Sequence, residues 1–162
     1  RRRHSFPTRR SSDLHAERYA VLLTATSRAE KEWPEAHWLR LGAALHAQGV
    51  AVVWPWGNAV EQARALRLAD GLPGSQAAPK LRLAEAAGLL GHACAVVGVD
   101  TGLTHLANAL DVPLVALYTD TDPALTGVVP SARAMNLGGV GQCPDVEGVL
   151  VALARCQAGA VA

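Results

Sequence analysis

VVGVDTGLTHLANAL, residues 96–110, is the stretch whose reading decides the fold. Its apolar opening, Val96-Val97-Gly98-Val99, reads as a buried strand. Asp100 stands where that strand gives out, and beyond it Leu103, Leu106, Ala107 and Leu110 recur at helical spacing. The junction is therefore a strand end feeding a helix N-terminus, where free backbone N–H groups and the helix dipole favour an anion. Asp100 adds an acceptor for hydroxyl groups, and Gly102 lets a ligand approach the backbone. His105 follows Thr101 by four residues on the same helix. The combination suits a phosphorylated, hydroxyl-rich ligand such as a nucleotide-sugar. Each residue alone also has a plainer role open to it: Asp100 as a helix N-cap, Gly102 as a turn, His105 as a polar group on a helix face.

Outward from this junction the chain alternates strand and helix. Strands are expected at 19–25, 50–54, 75–78, 93–99, 113–118 and 134–137. Helices are expected at 34–48, 58–68, 81–90, 101–110 and 145–157, with Asn58 as a cap and Gly49 closing the first helix. Asp122-Pro123 reads as a turn leading into a further helix start. Repeated strand–helix–strand units imply an α/β fold, a doubly wound, Rossmann-like parallel sheet with helices on both faces. Six strands fit the order 3-2-1-4-5-6, which makes the first and fourth neighbours and opens a crevice at their C-terminal ends. Those two ends carry the most polar loops of the chain, 24–31 and 100–105.

Composition supports one globular domain. Half of the 162 residues are hydrophobic and 18% are charged, enough apolar chain for a core. Net charge is +1, yet residues 1–14 (RRRHSFPTRRSSDL) hold five Arg and one Asp, so the rest is net acidic. A nucleic-acid footprint is excluded on that distribution. Residues 1–14 lack an apolar run and hydrophobic periodicity, and are set apart as a non-native or disordered basic head, with the folded domain at 15–162. Cys94, Cys143 and Cys156 are odd in number and widely spaced, which argues against a disulfide scaffold or zinc site and fits a reducing cytoplasm. Trp33, Trp38, Trp54 and Trp56 sit in two loop–helix regions, as core anchors or as part of a local function.

The loops at the crevice carry the candidate chemistry. Thr26, Ser27, Arg28 and Lys31 place hydroxyls and two cations beside the first strand end. A diphosphate needs such donors, because its charge would otherwise face a half-apolar cleft. RAEKE reads equally as a solvated charge run. Glu61 falls in the first turn of its helix, where the dipole favours a carboxylate; it is also placed to accept from ribose hydroxyls. Thr119, Asp120 and Thr121 follow the fifth strand. No G-x-G-x-x-G follows the first strand, which counts against NAD.

TSRAEKEWPEAHW, PWGNAVEQARA, VGVDTGLTHLANAL and LYTDTDPALTG, in that order, resemble the C-terminal half of the lipopolysaccharide heptosyltransferases, the ADP-heptose family of GT-B glycosyltransferases. The resemblance runs from about residue 19 to the C-terminus. It implies an inverting transfer of heptose from ADP-heptose to the Kdo of the lipopolysaccharide inner core, on Kdo-lipid A. By the same resemblance Lys31 meets the donor diphosphate or heptose, with Thr26 and Ser27 beside it. Glu61 binds the ribose and Leu81 lines the adenine pocket. Asp100 holds heptose hydroxyls, and the Thr101-Gly102-Leu103 backbone receives the phosphates with His105 nearby. Ser27 stands where the family often has Thr. LYTDTDP replaces the more usual LYGxTDP, bringing a bulkier residue, Thr119, next to the donor crevice.

The family's N-terminal domain, which binds the acceptor and supplies the carboxylate base, has no counterpart in this sequence. No catalytic residue is therefore expected here, and the chain reads as the donor-binding half, inactive alone. ADP-heptose would be its substrate, with no resident cofactor; metal dependence stays open. The family implies a cytoplasmic location, peripheral on the inner-membrane face. From the residues alone, a GT-B or epimerase-type domain for another nucleotide-sugar stays open, as does a non-catalytic nucleotide-binding module.

Overall fold

The structure, a computed structural model, describes residues 18–160. The expectation for residues 1–14 lies outside them. Six parallel strands form one sheet: β1 (Tyr19–Leu23), β2 (Ala51–Trp54), β3 (Ser75–Ala77), β4 (Ala95–Val99), β5 (Leu114–Tyr118) and β6 (Ala134–Gly138). Their order is β3-β2-β1-β4-β5-β6, the doubly wound arrangement expected from the sequence. Between them run α1 (Glu35–Ala47), α2 (Ala59–Gly71), α3 (Leu83–Gly91), α4 (Gly102–Ala109), α5 (Pro123–Thr126) and α6 (Val146–Gly159).

Alternation along the strands divides the core in two. Leu22, Val52, Trp54, Val97 and Leu117 face one side, where Trp38 and Leu41 of α1, Leu68 of α2 and Leu153 of α6 cover them. Val21, Val96, Leu114, Ala116 and Tyr118 face the other, against Leu90 of α3 and Ala107 of α4. Each fully buried aliphatic side chain contributes roughly 1.5–3 kcal/mol. Strand β4 is buried along its whole length, as its unbroken apolar run requires.

Three of the four tryptophans are core anchors. Trp33, Trp38 and Trp54 are at most 2% exposed, and the Trp33 and Trp38 rings meet edge to face at 4.8 Å. Trp33 Nε1 donates to the Pro144 carbonyl at 2.8 Å, joining the start of α1 to the chain entering α6. Trp56 alone reaches the crevice.

Gly98 shows why β4 and α4 can lie so close. A Cβ there would stand 2.3 Å from Thr104 Oγ1 and 3.1 Å from Leu23 Cβ. Thr104, itself buried, donates to the Val99 carbonyl at 2.7 Å and so ties the helix to the strand that feeds it. The expected elements depart from their bounds only at their ends, and a short 3-10 turn at Ala29–Lys31 is added within the loop expected at 24–31. β1 stops at Leu23 rather than residue 25, because the chain turns out of the sheet there and Arg64 Nη1 takes the Thr24 carbonyl at 3.2 Å. α2 runs on to Gly71 and α6 to Gly159.

Candidate functional site

The C-terminal ends of β1 and β4 are neighbours, with Leu23 in register with Gly98. Their loops, and those following β2 and β3, surround a cleft of about 270 Å³. Leu23, Thr24 and Ala25 form its base at the end of β1. Pro55, Trp56, Gly57 and Glu61 rise on one side, Leu81 to Leu83 on the other, with Thr101 and Leu103 at the α4 end. Apolar walls with a few polar groups at one end suit a flat base joined to a charged group.

Beside this cleft lies a cluster that local sequence patterns do not display. Lys31 sits at the end of a short 3-10 turn, Ala29–Lys31. Its Nζ donates to Asp100 Oδ2 at 2.8 Å, and both side chains are largely buried, at 18% and 10% exposure. Thr121 Oγ1 donates to the same carboxylate oxygen at 3.1 Å, and Thr26 Oγ1 to the Asp100 carbonyl at 3.1 Å. A carboxylate so deep in the crevice needs such partners to offset its desolvation. The plain reading of Asp100 as helix N-cap is thereby corrected: the cap of α4 is Thr101, with no side-chain hydrogen bond, and the Asp100 carboxylate points to Lys31 instead. The first-turn N–H groups of α4 are thus left without a side-chain cap, facing the crevice mouth.

Around Lys31 the supposed solvated run RAEKE is pinned at several points. Glu32 accepts from Arg64 Nη2 at 2.6 Å, and Arg64 is only 17% exposed. Thr119 Oγ1 donates to the Glu30 carbonyl at 2.7 Å. Arg28 Nη2 reaches Asp120 Oδ2 at 3.4 Å, across an exposed surface.

Glu61 is in the cleft wall but already has partners. Its Oε2 accepts from the Gly57 N–H at 2.6 Å and its Oε1 from Asn58 Nδ2 at 3.1 Å, while Asn58 Oδ1 accepts from the Glu61 N–H at 2.9 Å. These contacts order the loop between β2 and α2, and the carboxylate keeps further lone pairs toward the cleft. Leu81 forms the opposite wall. Trp56 Nε1 donates to the Ala78 carbonyl at 2.6 Å, bracing the stretch that leads to Leu81.

Of the candidate residues, Glu61, Leu81, Thr101 and Leu103 line the cleft itself. Thr26, Lys31 and Asp100 form the adjoining polar cluster. Gly102 is exposed, and a Cβ there would meet nothing within 4 Å. Ser27 and His105 are exposed and outside the cleft lining. Sequence reasoning missed Arg64 and the pocket role of Trp56, and it named Thr121 at a strand end without its bond to Asp100. Arg64 was within reach, because it lies three residues beyond Glu61 and so on the same side of α2. Among the described residues no three of His, Cys, Asp and Glu gather where they could hold a metal ion. No helix among them is long and apolar enough to cross a membrane.

Comparison with known proteins agrees with this architecture. The chain is 48% identical over 109 residues to lipopolysaccharide heptosyltransferase 1 of Salmonella typhimurium, a match covering 67% of this chain and 34% of that protein. The chain thus spans about a third of the length of that relative. Among solved structures it superposes on E. coli heptosyltransferase WaaC with ADP at a TM-score of 0.78 and 37% identity, over 86% of this chain and 45% of that one. It also superposes on E. coli ADP-heptose lps heptosyltransferase II at 0.77 and 26% identity, over 93% and 50% of the two chains. The sequence profile of glycosyltransferase family 9 (heptosyltransferase) matches residues 3–148. With its four crevice motifs in order, its sheet wound as in these structures and nine-tenths of its length matched by that profile, the chain belongs to glycosyltransferase family 9, the heptosyltransferases.

Proposed function

We propose that this chain binds the nucleotide-sugar donor of a lipopolysaccharide heptosyltransferase, with ADP-heptose as its ligand. The observation that carries this reading is the buried Lys31–Asp100 pair beside the uncapped start of α4, opening onto an apolar cleft with Glu61 in its wall. The adenine lies between Trp56 and Leu81, the ribose hydroxyls bond to Glu61, and the diphosphate meets Lys31 and the N–H groups of Thr101, Gly102 and Leu103. The heptose then falls next to Asp100, whose unshared oxygen accepts from its hydroxyls.

In the whole enzyme an acceptor hydroxyl of the Kdo attacks the anomeric carbon as the bond to the β-phosphate oxygen breaks. A carboxylate base in a partnering domain takes the acceptor proton, and ADP departs with the negative charge. This chain's part is to hold the leaving diphosphate where a cation and oriented N–H groups stabilise the charge it gains. The donor is a substrate rather than a cofactor. Catalysis on Kdo-lipid A implies work at the cytoplasmic side of the inner membrane, as a peripheral protein.

Calorimetric titration of the chain with ADP, UDP and NAD tests the assignment. ADP should bind most tightly. UDP binding more tightly than ADP would overturn the heptosyltransferase reading in favour of another nucleotide-sugar.

A further inference from the structure

Lys31 is flanked by residues tied to two different parts of the fold, the helix α2 and the loop after β5. Glu32, after it, is held by Arg64 of α2. Glu30, before it, gives its carbonyl to Thr119 Oγ1 at 2.7 Å. Thr121, two residues further along the same loop, shares Asp100 Oδ2 with Lys31 itself. The loop after β5 therefore touches both the backbone of the Lys31 turn and the carboxylate that orients its side chain.

We propose that Thr119 is a positioning residue for Lys31: its hydroxyl fastens the Ala29–Lys31 turn to the end of β5, so that the ammonium is held over the donor-phosphate position before a ligand arrives. The inference rests on the donor-site reading given above. The turn has few bonds of its own. Within it, the Lys31 N–H meets the Arg28 carbonyl at 3.1 Å and the Glu32 N–H the Ala29 carbonyl at 3.0 Å. A single 3-10 turn closed by two such bonds does not hold its shape unaided. The bond to the Glu30 carbonyl is made by the threonine hydroxyl, from outside the turn. Order imposed in the free chain lowers the entropic cost of binding, which is the physical content of preorganisation.

Thr119→Val keeps the branched shape and removes the donor; Thr119→Ser keeps the donor. In the unliganded 162-residue chain, amide hydrogen exchange at Lys31 and Glu32 should quicken about threefold or more in Thr119→Val and stay at wild-type rates in Thr119→Ser. ADP affinity should fall about three- to tenfold in the Val variant, the range for one hydrogen bond. Adenosine affinity should stay unchanged, and the Ser variant should match wild type with both ligands. Unchanged exchange in Thr119→Val, an equal loss for ADP and adenosine, or failure of serine to restore the wild-type values would each overturn the proposal. Lys31→Ala is the separate control: if it binds ADP like wild type, the donor-site reading itself fails. If it weakens ADP while Thr119→Val does not, only the role of Thr119 is refuted.

Discussion

At the scale of single residues, the Lys31–Asp100 pair makes stability and binding hard to separate by one substitution. Removing either partner strands the other in a crevice where it is at most 18% exposed. Asp100→Ala should therefore lower the unfolding midpoint even though Asp100 is not a helix cap. A double-mutant cycle with Lys31→Ala and Asp100→Ala in urea unfolding should show a coupling of about 0.5–3 kcal/mol, and additivity would mean that the pair is not formed in solution. Glu32 has the same standing: its pairing with the mostly buried Arg64 makes it unlike a solvated neighbour of Lys31. Tyr118 reports on the other face of the sheet. Burial pushes its hydroxyl up to about 12; the Val128 N–H bonded to it lowers that value, and the Asp100 charge adds to the rise. A tyrosine raised in the folded state favours folding fully below its unfolded value near 10, and that contribution is lost as pH climbs toward 12. Stability measured by urea between pH 9 and 11.5 should thus fall more steeply in wild type than in Tyr118→Phe, by at most ~1.4 kcal/mol for each pH unit. Parallel curves would place the hydroxyl in water.

At the scale of elements, two glycines of the β4–α4 junction have opposite duties. Gly98 lies in the packed contact with Thr104 and Leu23, so Gly98→Ala should cost about 1–3 kcal/mol of stability as α4 is pushed off the strand. Gly102 opens α4 with free space where a Cβ would go, and its φ is not left-handed. Gly102→Ala should leave thermal unfolding unchanged or raise it slightly, yet weaken ADP, because the methyl occupies the approach to the helix N–H groups. Equal ADP affinity in Gly102→Ala would remove α4 as the phosphate seat. This junction was legible from residues 96–110, because an unbroken apolar run, the mark of a buried strand, alternates with a helical period near 3.6 within a few residues. The strand order followed from the same alternation repeated along the chain. What the sequence hid were pairs joined by the fold alone. Lys31 and Asp100 stand 69 positions apart, and Thr119 and Glu30 stand 89 apart. Local periodicity carries no trace of such a partner, so a solvated RAEKE run and a capping Asp100 stayed open beside the ligand-binding readings. Arg64 escaped notice for a different reason: α2 is only weakly amphipathic in sequence, and its inward polar side chain looked like part of the exposed face.

At the scale of the whole molecule, the core that carries stability and the proposed ligand site occupy different regions. The heaviest packing lies on the face covered by α1, α2 and α6, where Val149, Leu153 and Cys156 of α6 close the core against β4 and β5. The proposed donor crevice lies at the C-terminal edge of the sheet, and α6 contributes nothing to its lining. Leu153, 2% exposed, is thus a handle on the fold that does not touch the site. Leu153→Ala should cost about 2–5 kcal/mol through lost burial and the cavity left behind. If the parallel sheet holds the crevice loops as a rigid frame, ADP affinity measured well below the melting temperature should be the same as in wild type. The added stability conferred by a fixed ADP concentration depends only on that concentration and the dissociation constant. Saturating series of ADP should therefore stabilise wild type and Leu153→Ala by the same free energy, although the two start from different baselines. A smaller ADP-induced gain in Leu153→Ala, with the variant still fully folded at the measuring temperature, would mean that packing under α6 sets the geometry of the β1 and β4 ends. The Lys31–Asp100 pair would then owe its position to the core beneath it as much as to the loops that carry it.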